Sequence, residues 1–590
     1  MCGIVGFLSD EQVAPVMIDC LKTLQYRGYD SAGMATIDDG RLWCRKGVGA
    51  VEVVNREHHM GELKGNLGIG HVRWATHGGV SDENAHPHLD CKSEIAVVHN
   101  GIIDNYQELR RMLESRHHFA SETDTEVVVH LIEDYMSEGA SLQAALVGAL
   151  AKLEGSYALV AVSSREPDKI VAARKESPLV IGIGCRGHFV ASDIVSLVGV
   201  AERFIPLDDG EMAVIRRESI TVFDERKQEV RKDSQQINCE WLMPSKDGHK
   251  HYMLKEIIEE PDAIEAALRQ DDRLLLETAL EVLRAKQVVI TGCGTSRHAA
   301  LIGRYLFSKL AGKLCEVVMA SEFEYFANSV DKSTAVIAIS QSGETADVIA
   351  GVKMARAAGA KVLSIVNVPG STLTRMSDRV IYMNCGPELC VAATKSFIAE
   401  LAVFYLLAFA MLNEIGKGRE WLREIASQIR ETLNTNGHDV RKLSTLISDK
   451  ADFYFLARGI NYAIALEGAL KLKEVSYIHA EGMPAAELKH GTLALIEKDT
   501  PVLVICPKDY TFKDTLSNAM ETKARGAFVI GLSDENNEIF DMWLKLPPVK
   551  EIFYPLISIV PLQVLAYYAA VNRGNDPDRP RNLAKSVTVK

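Results

Sequence analysis

Short apolar runs separated by turn residues dominate the first 225 residues of the chain. The runs at residues 67–70, 95–98 and 156–162 are bounded by Gly, Asn and Asp, which is typical of β-strands that end in turns. Two stretches, 14–23 and 125–136, have helical character instead. The pattern therefore predicts an N-terminal domain rich in strands, with few helices.

From about residue 280 the pattern changes, because apolar β-branched runs now alternate with helical segments. This alternation is typical of parallel sheets that are covered by helices on both faces. The runs lie at 288–290, 335–339 and 362–366, and again at 453–457, 501–505 and 528–532. Their similar order and spacing predict a duplicated α/β domain whose halves are joined by a helical segment near 413–447.

The chain has 590 residues, and a single core stops growing near ~250–300 residues, so several domains are expected. The predicted class is a multidomain protein of mixed α/β and α+β type. The predicted boundaries are 1–225 for the N-terminal domain, 226–279 for a linker with connecting helices, 280–415 for the first α/β domain, 416–447 for further connecting helices, 448–575 for the second α/β domain and 576–590 for a C-terminal tail.

Composition and charge narrow the functional class. With 47% hydrophobic residues, 25% charged residues and a net charge of −13, the chain is expected to be a packed soluble protein that does not bind nucleic acid. Residues 401–412 are too few to span a membrane, and 552–571 include prolines and a glutamine, so both are expected to be buried helices. No signal peptide is evident, which predicts a cytoplasmic protein with no membrane partner.

Metal binding is not expected from the histidine and cysteine patterns. The eleven cysteines are an odd number without any CxxC pair, which predicts reduced thiols. His77, His86 and His88 lie in sequences typical of loops, so hydrogen bonding is the preferred interpretation of these side chains. We predict no metal and no cofactor.

Cys2 directly follows Met1, so removal of Met1 would give a cysteine with a free α-amine. The amine has a reference pKa of about 7.7–8.0 and the thiol of about 8.5, so the amine can accept the thiol proton. One residue would then supply both nucleophile and base. The alternative is that position 2 only permits methionine removal.

Further polar clusters in the N-terminal domain fit an amino-acid amide such as glutamine. Such a substrate needs a cation for its α-carboxylate, an anion for its α-ammonium group, and donors for the oxyanion that forms when a thiolate attacks the amide. Arg73, Asp124, and Asn100 with the Gly101 N–H fit these three requirements.

The first α/β half contains two hydroxyl-rich turns at strand ends, at 292–296 and 340–345. Turns of Ser, Thr and Gly that open a helix offer hydroxyl and N–H groups to an anion. Each turn alone could simply cap a helix. Because two of them follow successive strands, a phosphate site is expected in this half but not in the second, where 458–460 and 506–508 take their place.

The N-terminal part resembles the class II, or N-terminal nucleophile, glutamine amidotransferases. The resemblance rests on the motifs at 2–6, 27–31, 73–78, 99–101 and 123–126. It implies an αββα Ntn-hydrolase sandwich in which Cys2 attacks glutamine and releases ammonia. It also implies that Arg73, Thr76, His77 and Asp124 hold the amino acid, that Asn100 and Gly101 form the oxyanion hole, and that Trp74 gates an ammonia channel. A tryptophan here could equally belong to the core.

The duplicated halves resemble sugar isomerase (SIS) domains with doubly wound parallel sheets. A class II glutaminase joined to two SIS domains is the layout of the glutamine–fructose-6-phosphate aminotransferase (isomerizing) family, and the resemblance covers essentially the whole chain. It implies glutamine and fructose 6-phosphate as substrates. The sugar phosphate would contact Thr295, Ser296, Ser340, Gln341, Ser342, Thr345, Val391 and Ala584.

Glu467, Lys471 and Glu474 are spaced to share one helical face. The alternative is an exposed row of ion pairs. The resemblance implies that Lys585 forms an imine with the sugar, His490 assists ring opening, Glu474 moves the proton between C1 and C2, and Lys471 supports these groups. In the family His490 comes from the neighbouring subunit, which implies a homodimer.

Two other functions remain open. The same chemistry could act on another ketose phosphate, or the chain could be a noncatalytic sugar-phosphate sensor. A sensor would have no use for Cys2, Glu474 and Lys585, which weighs against it.

Overall fold

The computed structural model describes residues 2–237, 245–435 and 437–588, which form two compact units. The first unit comprises residues 2–237 together with 586–588, and the second comprises residues 245–585.

The first unit contains two antiparallel sheets and five α-helices within its described residues. The strands are β1 Gly3–Ser9, β2 Ser31–Asp38, β3 Arg41–Val48, β4 Leu67–Arg73, β5 His88–Leu89, β6 Ile95–Ile103, β7 Gly155–Ser163, β8 Lys169–Lys175, β9 Val180–Gly184, β10 Gly187–Ala191, β11 Arg203–Pro206, β12 Met212–Arg216, β13 Ile220–Phe223, β14 Glu229–Val230 and β15 Gln235–Gln236. The helices are α1 Ala14–Leu24, α2 Val51–His58, α3 Tyr106–Leu113, α4 Glu126–Ser137 and α5 Leu142–Leu150.

The two sheets stack face to face between two helical layers. One sheet has the order β15-β11-β9-β10-β1-β4-β2-β3 and the other β14-β13-β12-β8-β7-β6-β5. A buried cluster that includes Ile4, Ile69, Val98 and Val160 joins their inner faces. Two further clusters pack α1 and α2 on the first sheet and α3 to α5 on the second. Both faces of each sheet are therefore buried, and the layers form the αββα sandwich.

The second unit contains two parallel five-stranded sheets and thirteen α-helices within its described residues. The strands are β16 Gln287–Gly292, β17 Glu316–Met319, β18 Thr334–Ser340, β19 Lys361–Val366, β20 Arg379–Tyr382, β21 Asp452–Ala457, β22 His479–Pro484, β23 Pro501–Ile505, β24 Phe528–Ser533 and β25 Met542–Lys545. The helices are α6 Tyr252–Ile258, α7 Glu260–Ala267, α8 Asp272–Arg284, α9 Gly294–Ala311, α10 Phe323–Phe326, α11 Ala346–Ala357, α12 Thr372–Met376, α13 Lys395–Met411, α14 Ile415–Thr435, α15 Gly437–Leu446, α16 Tyr462–Ser476, α17 Phe512–Lys523 and α18 Tyr554–Asn572.

The two parallel sheets have equivalent strand orders, β17-β16-β18-β19-β20 and β22-β21-β23-β24-β25. Numbered within each half, both read 2-1-3-4-5, the doubly wound order in which ligands bind beside the first and third strands. The predicted fold class, with an antiparallel N-terminal domain followed by two parallel-sheet domains, is confirmed.

The most apolar helices of the second unit, α13 and α18, are buried in one large core. Among the described residues, the helical segment Glu551–Asn572 is long and apolar enough to cross a membrane by length and composition, yet 83% of its apolar window is buried inside the protein. Burial within the protein accounts for its apolar sequence.

Candidate active site

Cys2 lies at the start of β1, beside the end of β4. The pairing of Gly3 with Val72 places Cys2 next to the turn that begins at Trp74. The Trp74 N–H donates to Cys2 Sγ at 3.3 Å, and the thiol donates to the Trp74 carbonyl at 3.4 Å. Burial raises the pKa of the Cys2 thiol, although the Trp74 N–H and the Arg73 charge act to lower it. The thiol therefore needs a base in order to react.

A small cleft opens beside Cys2. It is lined by Cys2, Arg73, Trp74, Thr76, His77, His86, His99, Gly101, Thr123, Asp124 and Thr125. The structure thus brings together every residue of the predicted glutamine site except Asn100, which lies beside the cleft. His86, His99, Thr123 and Thr125 were not assigned from the sequence, although three of them belong to the quoted motifs.

The Asn100 amide is fully engaged. Its Nδ2 donates to the Cys2 carbonyl at 3.0 Å and to Ser192 Oγ at 2.8 Å, while its Oδ1 lies 3.0 Å from His71 Nε2. In this arrangement Asn100 holds the backbone carbonyl of Cys2 in place. No sequence signal pointed to Ser192, whose Oγ also accepts the Ile4 N–H at 2.7 Å.

Gly101 contributes backbone alone to the cleft. Its φ is +135°, and a Cβ at this position would lie 2.1 Å from the Ser156 carbonyl oxygen. Both the dihedral angle and the lack of space require glycine here.

Arg73 is buried and holds the loop that follows it. Its guanidinium donates to the carbonyls of Gly79 at 3.0 Å and Gly78 at 3.2 Å, and also to that of His77. Arg73 therefore shapes the loop that carries Thr76 and His77 into the cleft.

Asp124 precedes α4 in a rigid turn. Its Oδ2 accepts the Ile103 N–H at 2.8 Å. Glu126 closes the turn by accepting the N–H groups of Ala120 and Ser121, each at 2.7 Å. Burial opposes ionisation of Glu126, but the nearby His130 imidazole and the hydrogen bond from Ser121 Oγ lower the pKa of Glu126 to about 2.

Several buried imidazoles surround the cleft and are uncharged near neutral pH. Burial lowers the pKa of His71 to about 3, and burial also lowers the pKa values of His86, His88 and His99. The His71 and His86 rings stack at 4.2 Å, and His88 Nε2 lies 3.0 Å from Thr123 Oγ1. Of the three histidines for which hydrogen bonding was the preferred interpretation, His86 and His88 make such contacts, since His86 Nδ1 also accepts the His99 N–H at 3.3 Å.

In the second unit, the two hydroxyl-rich turns follow the adjacent strands β16 and β18. The Ser340 Oγ accepts the Gly343 N–H at 3.0 Å and lies 2.9 Å from Thr345 Oγ1. The Ser342 Oγ accepts the Glu344 N–H at 3.1 Å. Three of the predicted phosphate residues, Ser340, Ser342 and Thr345, thus lie in one compact turn at the switch point of the first half.

The other turn is bonded to acidic side chains behind it. The Ser296 Oγ donates to Glu400 Oε1 at 2.7 Å, and the Thr295 Oγ1 donates to Glu467 Oε1 at 3.0 Å. Burial raises the pKa of Glu400 to about 8, so this carboxyl is protonated at neutral pH.

The face predicted for α16 is buried. The side chains of Glu467 and Lys471 are 0% and 1% exposed, so the alternative of an exposed row of ion pairs is wrong for this pair. The Lys471 Nζ lies 2.7 Å from Glu474 Oε2 and donates to Thr295 Oγ1 at 3.1 Å. Lys471 therefore links the second half to the hydroxyl-rich turn at 292–296 of the first half.

Lys585 forms an ion pair with Glu388, a residue that the sequence did not reveal. Their side chains are 4% and 0% exposed. Glu388 also accepts the Ser396 N–H at 3.0 Å and the Thr394 N–H at 2.9 Å. Burial opposes ionisation of Glu388, but Lys585 and Ser396 lower its pKa to about 2. Burial acts to lower the pKa of Lys585, but Glu388 and Glu256 raise it above the usual value.

The remaining predicted sugar-site residues make fewer contacts with the groups described above. The Val391 N–H donates to the Asp578 carbonyl at 3.3 Å, and the Gln341 carbonyl accepts the Asn367 N–H at 3.1 Å. Ala584 is half-buried beside Lys585. His490 is exposed, and within the described chain no hydrogen bond joins it to Glu474 or Lys585.

Two family models match the chain: a glutamine amidotransferase domain over residues 71–199, and the SIS domain over residues 281–410 and 446–573. The fold and the two sites define a glutamine amidotransferase joined to a pair of SIS domains. Glutamine–fructose-6-phosphate aminotransferases (isomerizing) of Methanothermobacter thermautotrophicus and Pyrococcus horikoshii are 47% and 44% identical, and each match covers 100% of both chains. The chain belongs to the glutamine–fructose-6-phosphate aminotransferase (isomerizing) family.

A solved structure supports this assignment for the second unit. The C-terminal domain of glucosamine-fructose-6-phosphate aminotransferase from Francisella tularensis is 36% identical, with a TM-score of 0.53. The match covers 57% of this chain and 100% of that chain.

Proposed function

We propose that this chain hydrolyses L-glutamine at Cys2 and transfers the ammonia to D-fructose 6-phosphate, giving D-glucosamine 6-phosphate and L-glutamate. The observation that carries the proposal for glutamine is the cleft that joins Cys2, Arg73 and Asp124. It combines a thiol with one cationic and one anionic side chain, which complement the α-carboxylate and the α-ammonium group of an amino acid.

Glutamine hydrolysis begins with the thiolate. The α-amine exposed by removal of Met1 takes the proton from Cys2, and the sulfur attacks the side-chain amide carbon. Ammonia leaves as the thioester forms, and water then releases glutamate. The Gly101 N–H and the Asn100 amide stabilise the oxyanion, for which Asn100 must exchange one of its present hydrogen bonds.

Sugar binding uses the switch point of the first half. The turn of Ser340, Ser342 and Thr345 offers hydroxyls and helix N-terminal N–H groups to the phosphate. Glu400 lies next to Ser296 in its protonated form, so it does not repel the phosphate charge.

Lys585 then forms an imine at C2 of the open-chain sugar, with loss of water. The ammonium must first lose a proton, and the paired Glu388 is the nearest carboxylate that can accept it. Ammonia replaces the lysine nitrogen at C2. Glu474 removes a proton from C1 and returns one to C2, which converts the ketose imine into the amino aldose.

We also propose a cytoplasmic homodimer in which each subunit supplies His490 to its neighbour for ring opening. The exposed position of His490 supports this arrangement. Mixing inactive His490→Ala and Lys585→Ala proteins should restore part of the activity, because mixed dimers would contain one complete site. No recovery after subunit exchange would contradict the shared site.

Two assays test the function. Purified protein with glutamine should convert fructose 6-phosphate, within a panel of ketose phosphates, to glucosamine 6-phosphate without added nucleotide. Turnover of another ketose phosphate in preference would favour the alternative substrate. Tight sugar-phosphate binding without any turnover would favour the sensor.

A further inference from the structure

Four side chains in the first unit converge on one point away from the Cys2 cleft. Cys91 lies in the loop after β5, His117 in the loop after α3, and His130 and Glu133 on α4. One donor atom from each lies within 4.8 Å of all the others. Glutamine chemistry has no use for this cluster.

The distances match a tetrahedral ligand set. Zn–S bonds of about 2.3 Å and Zn–N bonds of about 2.0–2.1 Å place tetrahedral S and N ligands about 3.6 Å apart, and N and O ligands about 3.3 Å apart. The Cys91 Sγ lies 3.6 Å from His117 Nδ1 and 3.8 Å from His130 Nδ1. Glu133 Oε2 lies 3.0 Å from each of the same two nitrogen atoms.

The second nitrogen of each imidazole faces a carboxylate. His117 Nε2 lies 2.9 Å from Asp134 Oδ1, and His130 Nε2 lies 3.7 Å from Glu126 Oε1. Histidines that bind a metal commonly donate their other N–H to a carboxylate, which fixes the ring and strengthens the ligand. Both imidazoles are therefore oriented with Nδ1 toward the shared centre.

A network of histidine–carboxylate ion pairs without a metal would explain the contacts of Glu133. It would not explain the position of Cys91 Sγ. This sulfur lies near His117 Nδ1 and His130 Nδ1, the same two atoms that Glu133 Oε2 contacts. Thiolate and imidazole ligands together favour zinc over the harder divalent ions.

We propose that Cys91, His117, His130 and Glu133 bind one Zn²⁺ ion as a structural site. Four protein ligands leave no open position for a substrate, as in other structural zinc sites. The ion would join the loops at Cys91 and His117 to α4, directly after the turn that holds Asp124. This proposal departs from the prediction of no metal, which was based on the lack of a CxxC pair and on the loop context of His77, His86 and His88. It does not depend on the proposed function.

The full chain purified without chelator should contain about one zinc ion per chain by elemental analysis. X-ray absorption should show one sulfur at about 2.3 Å and N/O ligands near 2.0–2.1 Å. Cys91→Ser and His117→Gln should reduce the zinc content at least tenfold after desalting. The matched variants Cys185→Ser and His118→Gln change exposed residues outside the cluster and should retain it.

A variant that lacks a ligand could lose zinc simply because it does not fold. Asp134→Asn avoids this problem, because it changes only a partly exposed carboxylate that contacts the ligand His117. It should weaken zinc binding by about 10–100-fold without removing a ligand. Cobalt substitution adds a direct readout, because wild-type protein should show thiolate-to-cobalt absorption that Cys91→Ser lacks. Wild-type protein that binds neither added Zn²⁺ nor Co²⁺, or equal zinc contents in Cys91→Ser and Cys185→Ser, would overturn the proposal.

Discussion

Lys585 and Glu388 form an ion pair that is almost completely shielded from water. The pairing stabilises the ammonium form, whereas an imine requires the neutral amine. In the proposed mechanism, the lysine therefore reacts only after an incoming sugar rearranges the pair. Glu388 is also held by the N–H groups of Ser396 and Thr394, so the rearrangement in this mechanism moves Lys585.

Replacing Lys585 tests its role as the imine nucleophile. Lys585→Ala should lower glucosamine 6-phosphate formation at least about 10³-fold, whether glutamine or ammonia supplies the nitrogen. Glutamine hydrolysis should continue, since Cys2 does not depend on this lysine. Trapping of fructose 6-phosphate by borohydride should label wild-type protein but not the variant.

Lys508→Ala provides the control, because Lys508 is an exposed lysine paired with Glu535. It should keep full activity and full labelling. Unchanged synthesis by Lys585→Ala would rule out the imine at this residue.

Removal of the thiol should separate the two half-reactions. Cys2→Ala should lower glutamine-dependent synthesis at least about 10³-fold, while synthesis from free ammonia continues. Glutamate release and glucosamine 6-phosphate formation measured in parallel report the two reactions. Mass spectrometry of the wild-type protein should show loss of Met1, and a retained Met1 in active protein would contradict the use of the α-amine.

Gly101 can be tested against a second glycine with positive φ. Gly101→Ala would place a Cβ 2.1 Å from the Ser156 carbonyl oxygen, so the strand must shift beside the cleft. Glutamine hydrolysis should fall at least about tenfold, and the free energy of unfolding should drop by about 1–3 kcal/mol. At Gly139, φ is +95° and nothing lies within 4 Å of an added Cβ. Gly139→Ala should therefore lower the free energy of unfolding through backbone strain alone and keep its glutamine hydrolysis. Equal activity losses in the two variants would argue against a specific role for Gly101.

The pKa of Glu400, raised to about 8, predicts how sugar binding depends on pH. Burial is the main cause, and the nearby charges of Glu388 and Glu467 add to it while Lys585 opposes it. Above pH 8 the carboxylate should ionise and repel the phosphate, so KM for fructose 6-phosphate should rise. Glu400→Gln, which stays neutral, should flatten this rise. An unchanged profile in the variant would mean that another group titrates.

The raised pKa of Glu400 also makes the free energy of unfolding depend on pH in a predictable direction. Between the ordinary pKa of 4.5 and about 8, the folded protein holds a proton at Glu400 that the unfolded chain has lost. The contribution of Glu400 to the free energy of unfolding therefore falls as pH rises through this range. Urea unfolding of Glu400→Gln between pH 5 and 8, roughly the window set by these pKa values, should show a smaller loss than wild-type protein.

The central strands could be predicted from sequence because each is a continuous apolar run buried on both faces. The predicted run at 335–339 lies within Thr334–Ser340, all of which is buried. Edge strands escaped prediction because one side faces solvent. Glu316–Met319 has two exposed residues, and Met542–Lys545 mixes polar and apolar side chains.

Site residues could be predicted where a motif combined reactive groups with turn residues. Glu388 and Glu400 could not, because a carboxylate in sequence gives no sign of burial or of its partner. Ser192 likewise could not be predicted, because it follows a strand of one sheet and reaches Asn100 on the other sheet across a separation of 92 residues. The Cys91 cluster could not be predicted because its four side chains come from positions 91, 117, 130 and 133, which share no short sequence motif.

The position of Lys471 has a consequence for the duplicated α/β halves. The first copy holds the two hydroxyl-rich turns, whereas helix α16 of the second copy places Lys471 against Thr295 in one of them. The proposed sugar site therefore needs groups from both halves. Neither half produced separately should bind and convert the sugar. A circular permutation that keeps both halves covalently joined should be tolerated far better than a cut that separates them.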